Sequence, residues 1–534
     1  MDKLYFWSVF VLYATFMAGI GFYIYRKQLG HTREEGIFEF WMAKRQMPGL
    51  WLGMSLTAGW LMLGWIGFGM SQIYLLGATA LWILPLPWFI LTFLIVWMVP
   101  HVRRLPSMSI PEAIEKRYGK AARTLLALFS VYVFISWTQA ELFMTGTLMS
   151  PFLGVEPWLC MTVLVVPIII YIYLGGFRAV VTTDAIQFVI AAVFMAVLAV
   201  AALSSARSAS HGDILGALRQ ITPPLAAKGE MFHLFFLGFL FPLVLLIGYL
   251  PGWLIEQDLI LRLQGAKSTQ EAQRGAWAGL VLIITFVIAL PTLVAFCALV
   301  AFPPGDGAAA AAVGANAYSI ISAFIAQMPL GLAVFMLMGI IATQMSTIDT
   351  FVNVAAMHVS YDLIDPLLLK NAPEKTKLRA GRLVSVAVIL VGLGLAFISE
   401  SLGDIYYVSS GVLSASIAVP LFFIFWKRTT HAAVLVAATA GFLGTVGGYW
   451  FEYKFLNAVD PTAPTYYMTV LPAWLQGSFC YNYLAFGVLL SLVAIVAVSL
   501  ATARAPAAKL EFVKAKPVDG LDEFKKACFA PVAE

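Results

Sequence analysis

Residues 341–351 read IATQMSTIDTF, and they lie in a stretch of chain that is otherwise almost entirely apolar. Four hydroxyl residues in this stretch are spaced i, i+3, i+4 and i+7, which places them on one face of a helix: Thr343, Ser346, Thr347 and Thr350. Polar groups away from water must find partners. Hydroxyl oxygens in register suit a hard cation such as Na⁺. The alternative is that they donate to their own helix and help helices pack closely.

The composition around this stretch indicates an integral membrane protein. Of the 534 residues, 61% are hydrophobic and 11% are charged, whereas soluble domains are about half apolar and about a quarter charged. A run of about 18 or more apolar residues can cross a hydrocarbon core of about 30 Å. The sequence predicts thirteen such spans, near 4–25, 48–70, 77–99, 124–148, 157–174, 181–203, 232–252, 276–302, 319–356, 383–399, 404–426, 431–451 and 481–503.

The positive charges predict the orientation of these spans. If the first of thirteen spans starts outside, 28 of the 33 Lys and Arg residues fall in loops on the cytoplasmic side. Lys and Arg accumulate on the cytoplasmic side of membrane proteins. We therefore expect a multi-pass protein of the plasma membrane with its N-terminus outside and its C-terminus in the cytoplasm.

Two further segments carry polar or flexible residues inside predicted spans. The second span has glycines at 59, 64, 67 and 69, which favour a break that exposes backbone carbonyls, although close helix packing is the alternative. The segment LGGFRAVVTTDAIQF at 174–188 places Asp184 about one turn inside a span. An acidic residue there indicates a functional site, and a helix N-cap is the alternative.

Together these segments resemble the sodium/solute symporter family, which includes sodium:proline and sodium:glucose symporters. MSTIDTFVNVAAMHVSYDL (345–363) resembles the family's MST-A-DS segment, and GGFRAVVTTDAIQ (175–187) is similar to its GG-x-x-AV-x-x-TD-x-x-Q segment. EQDLILRLQGAKSTQEAQRGA (256–276) resembles its NQ-x-x-x-QR-x-x-A-x-K pattern, and SIPEAIEKRYG (109–119) its P-x-x-x-x-x-RFG loop. The chain departs from the pattern at Glu256, where Asn is common, and at Leu261, where Gln is common.

The resemblance implies a fold and a division of the chain. It implies an all-α integral membrane protein of thirteen transmembrane helices, with a five-plus-five inverted repeat and broken helices as in the leucine-transporter-like fold. The parts would be an extra first helix at 1–26, a transport core at 46–426, two accessory helices at 427–503 and a cytoplasmic tail at 504–534.

The resemblance also implies ion-binding residues. The sodium site would be built from two backbone carbonyls and three hydroxyl residues: Ala58, Leu61, Thr343, Ser346 and Thr347. A second sodium ion, known in some members, would be bound by Asp184 and by the same hydroxyl face, including Thr350. Sodium is the coupling ion, and no other metal or cofactor is expected.

The substrate is predicted from aromatic and acidic residues near these sites. Trp60 and Trp137 are placed like two tryptophans of the family's choline-transporting branch, and aromatic faces attract alkylated ammonium groups by about 0.5–2 kcal/mol each. Packing or an interfacial belt is the alternative for each tryptophan. The predicted solute-binding residues are Trp60, Trp65, Trp137, Glu141 and Glu256. They favour a cationic or zwitterionic amine or an amino acid.

The predicted function is sodium-coupled secondary active uptake of a small organic solute by alternating access. The alternatives are a proton-coupled transporter of the same fold, in which Asp184, Glu141 or Asp349 titrates, and sodium-coupled symport of a sugar or monocarboxylate. An enzyme is not expected, because no nucleophile–base pair and no metal site can be assembled from the motifs. The sequence also has no GxxxxGK[ST] loop for ATP-driven pumping, no HExxH and no Cys/His metal cluster. The expected partners are the solute, Na⁺ and the lipid bilayer, without nucleic acid, and we expect a monomer.

Overall fold

The computed structural model describes residues 2–28, 36–226, 228–305, 313, 317–399, 401–452, 481–503 and 517–529. Within these residues the regular secondary structure is helical, apart from one isolated β-bridge between Met47 and Ala266. The helices are α1 (Asp2–Gln28), α2 (Gly36–Met42), α3 (Gly49–Trp60), α4 (Leu63–Leu76), α5 (Pro85–Arg103), α6 (Ile110–Tyr118), α7 (Lys120–Leu153), α8 (Pro157–Ala209), α9 (Ile214–Gln220), α10 (Leu240–Leu254), α11 (Gln257–Gly265), α12 (Thr269–Leu282), α13 (Leu290–Ala301), α14 (Ile320–Ala326), α15 (Leu330–Met357), α16 (Glu374–Ala396), α17 (Leu402–Val412), α18 (His431–Tyr449), α19 (Asn482–Ala501) and α20 (Leu521–Phe529).

The number of membrane spans follows from helix length and composition. Among the described residues, eleven helices are long and apolar enough to cross a membrane, and the count is twelve if the bent pair Gly49–Trp60 and Leu63–Trp82 is one span. The longest helix, α8, has 53 residues, which is about 80 Å at 1.5 Å per residue and more than twice a hydrocarbon core. The thirteen spans stay a prediction. The count reaches thirteen if α8 crosses the membrane twice.

A glycine interrupts α8 between the fifth and sixth predicted spans, 157–174 and 181–203. Gly176 has φ 56° and ψ −154°, which is non-helical and open to glycine because it has no Cβ. A Cβ at this position would lie 2.6 Å from the carbonyl oxygen of Phe40. The α8 break therefore requires glycine both for its backbone angles and for close contact with α2.

Two helices of the predicted transport core are interrupted in mid-course. α3 and α4 meet at Leu61 and Met62 with a bend of 56°, which fits the glycine-rich second span. α10 ends at Leu254 and α11 begins at Gln257, so Ile255 and Glu256 form a second interruption. The backbone joins the two broken units, because Met47 N donates to the carbonyl of Gly265 at 3.1 Å.

Some predicted span boundaries are wrong. The third span was expected to start at 77, but residues Gly77–Trp82 form a 3₁₀ segment and the long helix α5 starts at Pro85. Proline lacks a backbone N–H and fits the first turn of a helix, so it sets this start. The seventh span was expected at 232–252, but α10 begins at Leu240.

The described part of the C-terminal tail packs against the end of α11. Arg103 donates to Asp519 at 2.8 Å, and Arg45 lies over the ring of Phe524, which is fully buried. Burial raises the pKa of Asp519, but hydrogen bonds from Arg103 and Thr269 bring that pKa below its usual value, so the pair stays charged. Arg103 also donates to three carbonyl oxygens where α11 ends, those of Leu263, Gln264 and Ala266.

Candidate sodium and solute site

Glu141 of α7 holds the start of α4 away from the end of α3. Its carboxylate accepts hydrogen bonds from the backbone N–H of Gly64 at 3.0 Å and from that of Trp65, and also from the hydroxyl of Tyr406. The first N–H groups of a helix have no partner within it, and a carboxylate there is favoured by the helix dipole. Glu141 therefore caps α4 and connects it to α17.

This cap frees backbone carbonyls at the end of α3. In a continuous helix, Gly64 and Trp65 would donate to the carbonyls of Trp60 and Leu61, but both N–H groups donate to Glu141 instead. The carbonyl of Ala58 accepts from the N–H of Leu61 at 3.3 Å and retains its second lone pair. The predicted carbonyl ligands, Ala58 and Leu61, thus lie at the break with acceptor capacity available.

The hydroxyl face of α15 is buried as expected. Thr343 donates to the carbonyl of Gly339 at 2.8 Å, which leaves its oxygen lone pairs available, and Ser346 donates to Asp184 at 2.6 Å. The hydroxyl of Thr347 is buried without a hydrogen-bond partner in the described part of the chain. A buried polar atom in this position is costly unless a ligand or ion satisfies it. The donor set fits Na⁺, which is bound by oxygen atoms.

The two residues of the expected second sodium site contact a guanidinium group. Nη2 of Arg262 lies 3.1 Å from Oδ2 of Asp184 and 2.8 Å from the hydroxyl oxygen of Thr350. Nη1 of Arg262 also contacts Oδ2 of Asp258 at 3.4 Å, and Nε donates to the hydroxyl of Ser55 at 3.0 Å. Arg262 thereby joins α3, α8, α11 and α15.

Aromatic rings surround the two helix breaks. The ring centroid of Trp65, just after the first break, is 5.8 Å from that of Trp253, just before the second break. Trp88 of α5 is 5.5 Å from Trp60 and 5.8 Å from Trp253, and Tyr406 is 4.8 Å from Trp65. We call these five residues the aromatic cluster. All five rings are buried, and the face of an aromatic ring attracts a cation.

The predicted solute-binding residues do not all lie in this cluster. Trp60 and Trp65 belong to it. Trp137 donates to Ser409 at 2.9 Å and its ring packs 5.2 Å from Phe351, so it joins α7 to α17 and α15. Glu256 lies in the second break and contacts Asp258 and Trp60 through its carboxyl group.

Several residues of the site carry no sequence motif. Trp88 and Trp253 lie in apolar spans without any motif, and Tyr406 follows an ordinary helix start. Asp258 and Arg262 lie beyond the predicted seventh span (232–252), but in the structure that span continues to Gly265, and charged residues inside a span indicate a functional site. These two are spaced i, i+4, and they form a salt bridge within α11.

These features define a class of protein. Two interrupted transmembrane helices, buried oxygen atoms at the break and aromatic and acidic side chains beside them are typical of secondary transporters, which bind ion and solute near the bilayer midplane. The comparisons with known proteins agree with this class. Residues 40–441 match the Sodium:solute symporter family, so the chain belongs to that family.

The relatives cover most of the chain. A "Sodium/glucose cotransporter" of Vibrio parahaemolyticus is 27% identical over 81% of this chain and 82% of its own length. The "High-affinity proline transporter PutP" of Bacillus subtilis (strain 168) is 23% identical over 74% of this chain and 78% of its own. A solved Na⁺-coupled sialic acid symporter in a substrate-bound outward-open state covers 94% of this chain and 99% of its own, with TM-score 0.72 and 17% identity.

The family membership settles the general activity. The chain is a multi-pass membrane protein and a sodium-coupled solute symporter, and it is not an enzyme. The transported partners are Na⁺ and a solute. The structural similarity supports the leucine-transporter-like fold, which the motifs had predicted. The solutes named for the relatives differ, since they include glucose, proline and sialic acid.

Proposed function

We propose that this symporter takes up a cationic or zwitterionic amine together with Na⁺. The observation that carries this proposal is the aromatic cluster, which lies at both helix breaks beside the carboxyl groups of Asp258 and Glu256. A ring face attracts an ammonium group by about 0.5–2 kcal/mol, more strongly where water is excluded.

The cap on α4 favours an amine over an anionic solute. The N-terminus of a broken helix is a common binding place for a substrate carboxylate in transporters. In this chain Glu141 already accepts the N–H groups of Gly64 and Trp65. A solute carboxylate placed there would be repelled by Glu141, whereas an ammonium group would not.

The sodium ion would be bound next to this site. Its ligands would be the carbonyls of Ala58 and Leu61 and the hydroxyls of α15, namely Thr343, Ser346 and Thr347. The free hydroxyl of Thr347 and the released carbonyl of Leu61 support this assignment. The ion would brace α3 against α15, and solute binding would follow in the outward-open state.

Alternating access would then release both partners on the other side. We place the N-terminus outside and the C-terminus in the cytoplasm of the plasma membrane, as the positive charges predict. The membrane potential supplies about 2.3 kcal/mol per charge per 100 mV to inward sodium movement. Coupling requires that sodium and solute favour each other's binding, by a reciprocal free energy of about 1–3 kcal/mol.

A binding screen on purified protein tests this proposal. Thermal stability is measured with amines, betaines, amino acids, sugars and monocarboxylates, each in NaCl and in KCl. We expect stabilisation by amines or betaines in NaCl, and its loss in Thr347→Ala. Stabilisation by a sugar or monocarboxylate would contradict the substrate class. Binding that depends on pH and not on sodium would favour proton coupling instead.

A pair of tryptophan variants tests the aromatic cluster directly. The indole nitrogen of Trp65 has no hydrogen-bond partner among the described residues, so Trp65→Leu removes a ring and no hydrogen bond. We expect amine affinity to fall about 2- to 30-fold, the equivalent of 0.5–2 kcal/mol, with unchanged sodium affinity. Trp277→Leu is the matched control, because Trp277 is exposed on α12. Equal effects of the two changes would contradict the assignment.

A further inference from the structure

We infer that a cavity at one end of the membrane-spanning part binds the phosphodiester headgroup of an anionic phospholipid. The cavity has a volume of about 480 Å³ and lies where α2, α16 and α20 meet the end of the span that begins with α15. The positive charges of the chain assign this end to the cytoplasm. The inference concerns a second site and does not rest on the proposed sodium and solute sites.

Three lysines from separate segments line this cavity. Lys370 lies in the loop before α16, Lys377 lies in α16 and Lys525 lies in α20. In the described part of the chain, none of the three forms a salt bridge. Arg123 lines the cavity as well, but its guanidinium is already paired with two carboxylates, at 2.6 and 2.9 Å. The lysines are therefore the cations available to a ligand.

The charges that line the cavity match a phosphodiester. Asp365 and Glu374 also line it. One oxygen of Glu374 accepts from the backbone N–H of Ile37 at 2.9 Å, so this carboxylate already joins α16 to α2. Apart from the paired Arg123, three lysines against two carboxylates leave one positive charge in excess. A phosphodiester carries one negative charge and balances this excess, whereas a phosphate monoester carries about −1.5 to −2.

Exposed leucines next to the cavity favour a lipid over a soluble phosphodiester. The span that begins with α15 ends at Leu367. Leu367 and Leu368 have 59% and 77% of their surface exposed, and Lys370 follows two positions later. Exposed apolar side chains of this kind mark a membrane contact. Lys370 therefore lies at the level of the lipid phosphates, where basic pockets between transmembrane helices bind lipid headgroups.

A headgroup in this cavity also holds the C-terminal tail. Lys525 reaches the cavity from α20, and its ammonium nitrogen lies 5.3 Å from the ring centroid of Phe38 in α2. The neighbouring Phe524 is fully buried, with its ring centroid 6.4 Å from that of Phe38. A phosphate between Lys525 and the lysines at the start of α16 connects the tail to the membrane-spanning part. Lipid binding should therefore stabilise the docked tail.

Native mass spectrometry of the purified full-length protein in detergent tests the inference. The protein is titrated with phosphatidylglycerol, with phosphatidylcholine, and with glycerophosphoglycerol, which is the headgroup of phosphatidylglycerol without acyl chains. We expect phosphatidylglycerol to bind most tightly, because the choline group adds a positive charge and the free headgroup has no contact with the leucines. Equal binding of phosphatidylcholine would overturn the inference. Equal binding of glycerophosphoglycerol would overturn the assignment to a lipid.

A triple variant tests the lysines. Lys370→Gln, Lys377→Gln and Lys525→Gln together should lower the affinity for phosphatidylglycerol about 100-fold, which is about fivefold for each lysine. An equal loss in the matched control would indicate a general attraction of the basic surface and overturn the inference. That control changes three exposed cations of α16 and α20 that do not line the cavity: Lys375→Gln, Arg379→Gln and Lys526→Gln.

Limited proteolysis of the tail gives a readout that general lipid binding does not change. Phosphatidylglycerol should slow cleavage of the tail in wild type. It should not do so in Lys525→Gln, which retains the buried Phe524. Equal protection of both proteins would overturn the connection between the headgroup and α20. The comparison of lipids on wild type tests the inference even if a variant does not fold.

Discussion

Replacing Glu141 by alanine should weaken sodium binding although Glu141 is not a proposed sodium ligand. The carboxylate accepts from the N–H groups of Gly64 and Trp65 and from Tyr406. Without it, both N–H groups become unpaired in a buried region, where an unsatisfied donor costs about 1–3 kcal/mol. These two N–H groups are satisfied most directly if α3 and α4 join into one continuous helix, in which they donate to the carbonyls of Trp60 and Leu61.

The magnitude follows from those two new hydrogen bonds. Each backbone hydrogen bond contributes a net of about 0.5–1.5 kcal/mol. Two of them therefore stabilise the continuous helix, in which the carbonyls of Trp60 and Leu61 are occupied, by about 1–3 kcal/mol. Sodium must displace that state before it can bind. Its dissociation constant should therefore rise about 5- to 150-fold. Glu141→Gln retains one oxygen that can accept from both N–H groups, so a smaller change is expected.

The assay is a sodium titration of thermal stability, with potassium keeping the ionic strength constant. Glu156→Ala is the matched control, because Glu156 is exposed and makes no side-chain cap at the start of α8. A folded Glu141→Ala protein whose sodium affinity is within twofold of wild type would refute the reasoning. It would mean that the carbonyl of Leu61 is not released by the cap.

Three other changes test other parts of the structure. Thr347→Ala removes an unpaired hydroxyl, so stabilisation by sodium should be lost. Stability without sodium should stay within about 0.5 kcal/mol of wild type, and a large loss of stability without sodium would contradict this prediction. Gly176→Ala forces a residue with a Cβ into a left-handed conformation and against Phe40, and stability measured by thermal unfolding should fall by at least about 1–2 kcal/mol. Arg103→Ala breaks the contacts with Asp519 and the end of α11, so limited proteolysis should cut the tail faster than in wild type, and unchanged cleavage would contradict its docking.

Much of the site could be anticipated from local sequence patterns. The spacing of hydroxyl residues in 341–351 placed them on one face, and the structure buries that face. The glycines of the second span predicted a break, which occurs at Leu61 and Met62. Such features depend on neighbours within one helix, and a helix of fixed geometry converts spacing into a common face.

The residues that gather at the breaks could not be found in this way. Glu141 contacts Gly64 across 77 positions of the chain. The Asp184–Arg262 pair likewise joins α8 to α11. A sequence pattern shows that Asp184 is buried and acidic, and it does not show which cation is its partner. The second sodium ion stays a prediction, because a sodium ion and a guanidinium can both satisfy a buried carboxylate.

The sequence by itself determined the membrane character, the symporter family and the helix face with oxygen atoms suited to sodium. These depend on hydrophobic run length, on motifs in order and on helical periodicity, all of which are local. The tertiary structure decided which groups meet at the breaks: Glu141 with the start of α4, Arg262 with Asp184, and Trp65 with Trp253. In a membrane most faces of a helix are equally apolar, so hydrophobicity does not select neighbours, and close packing and buried polar contacts do.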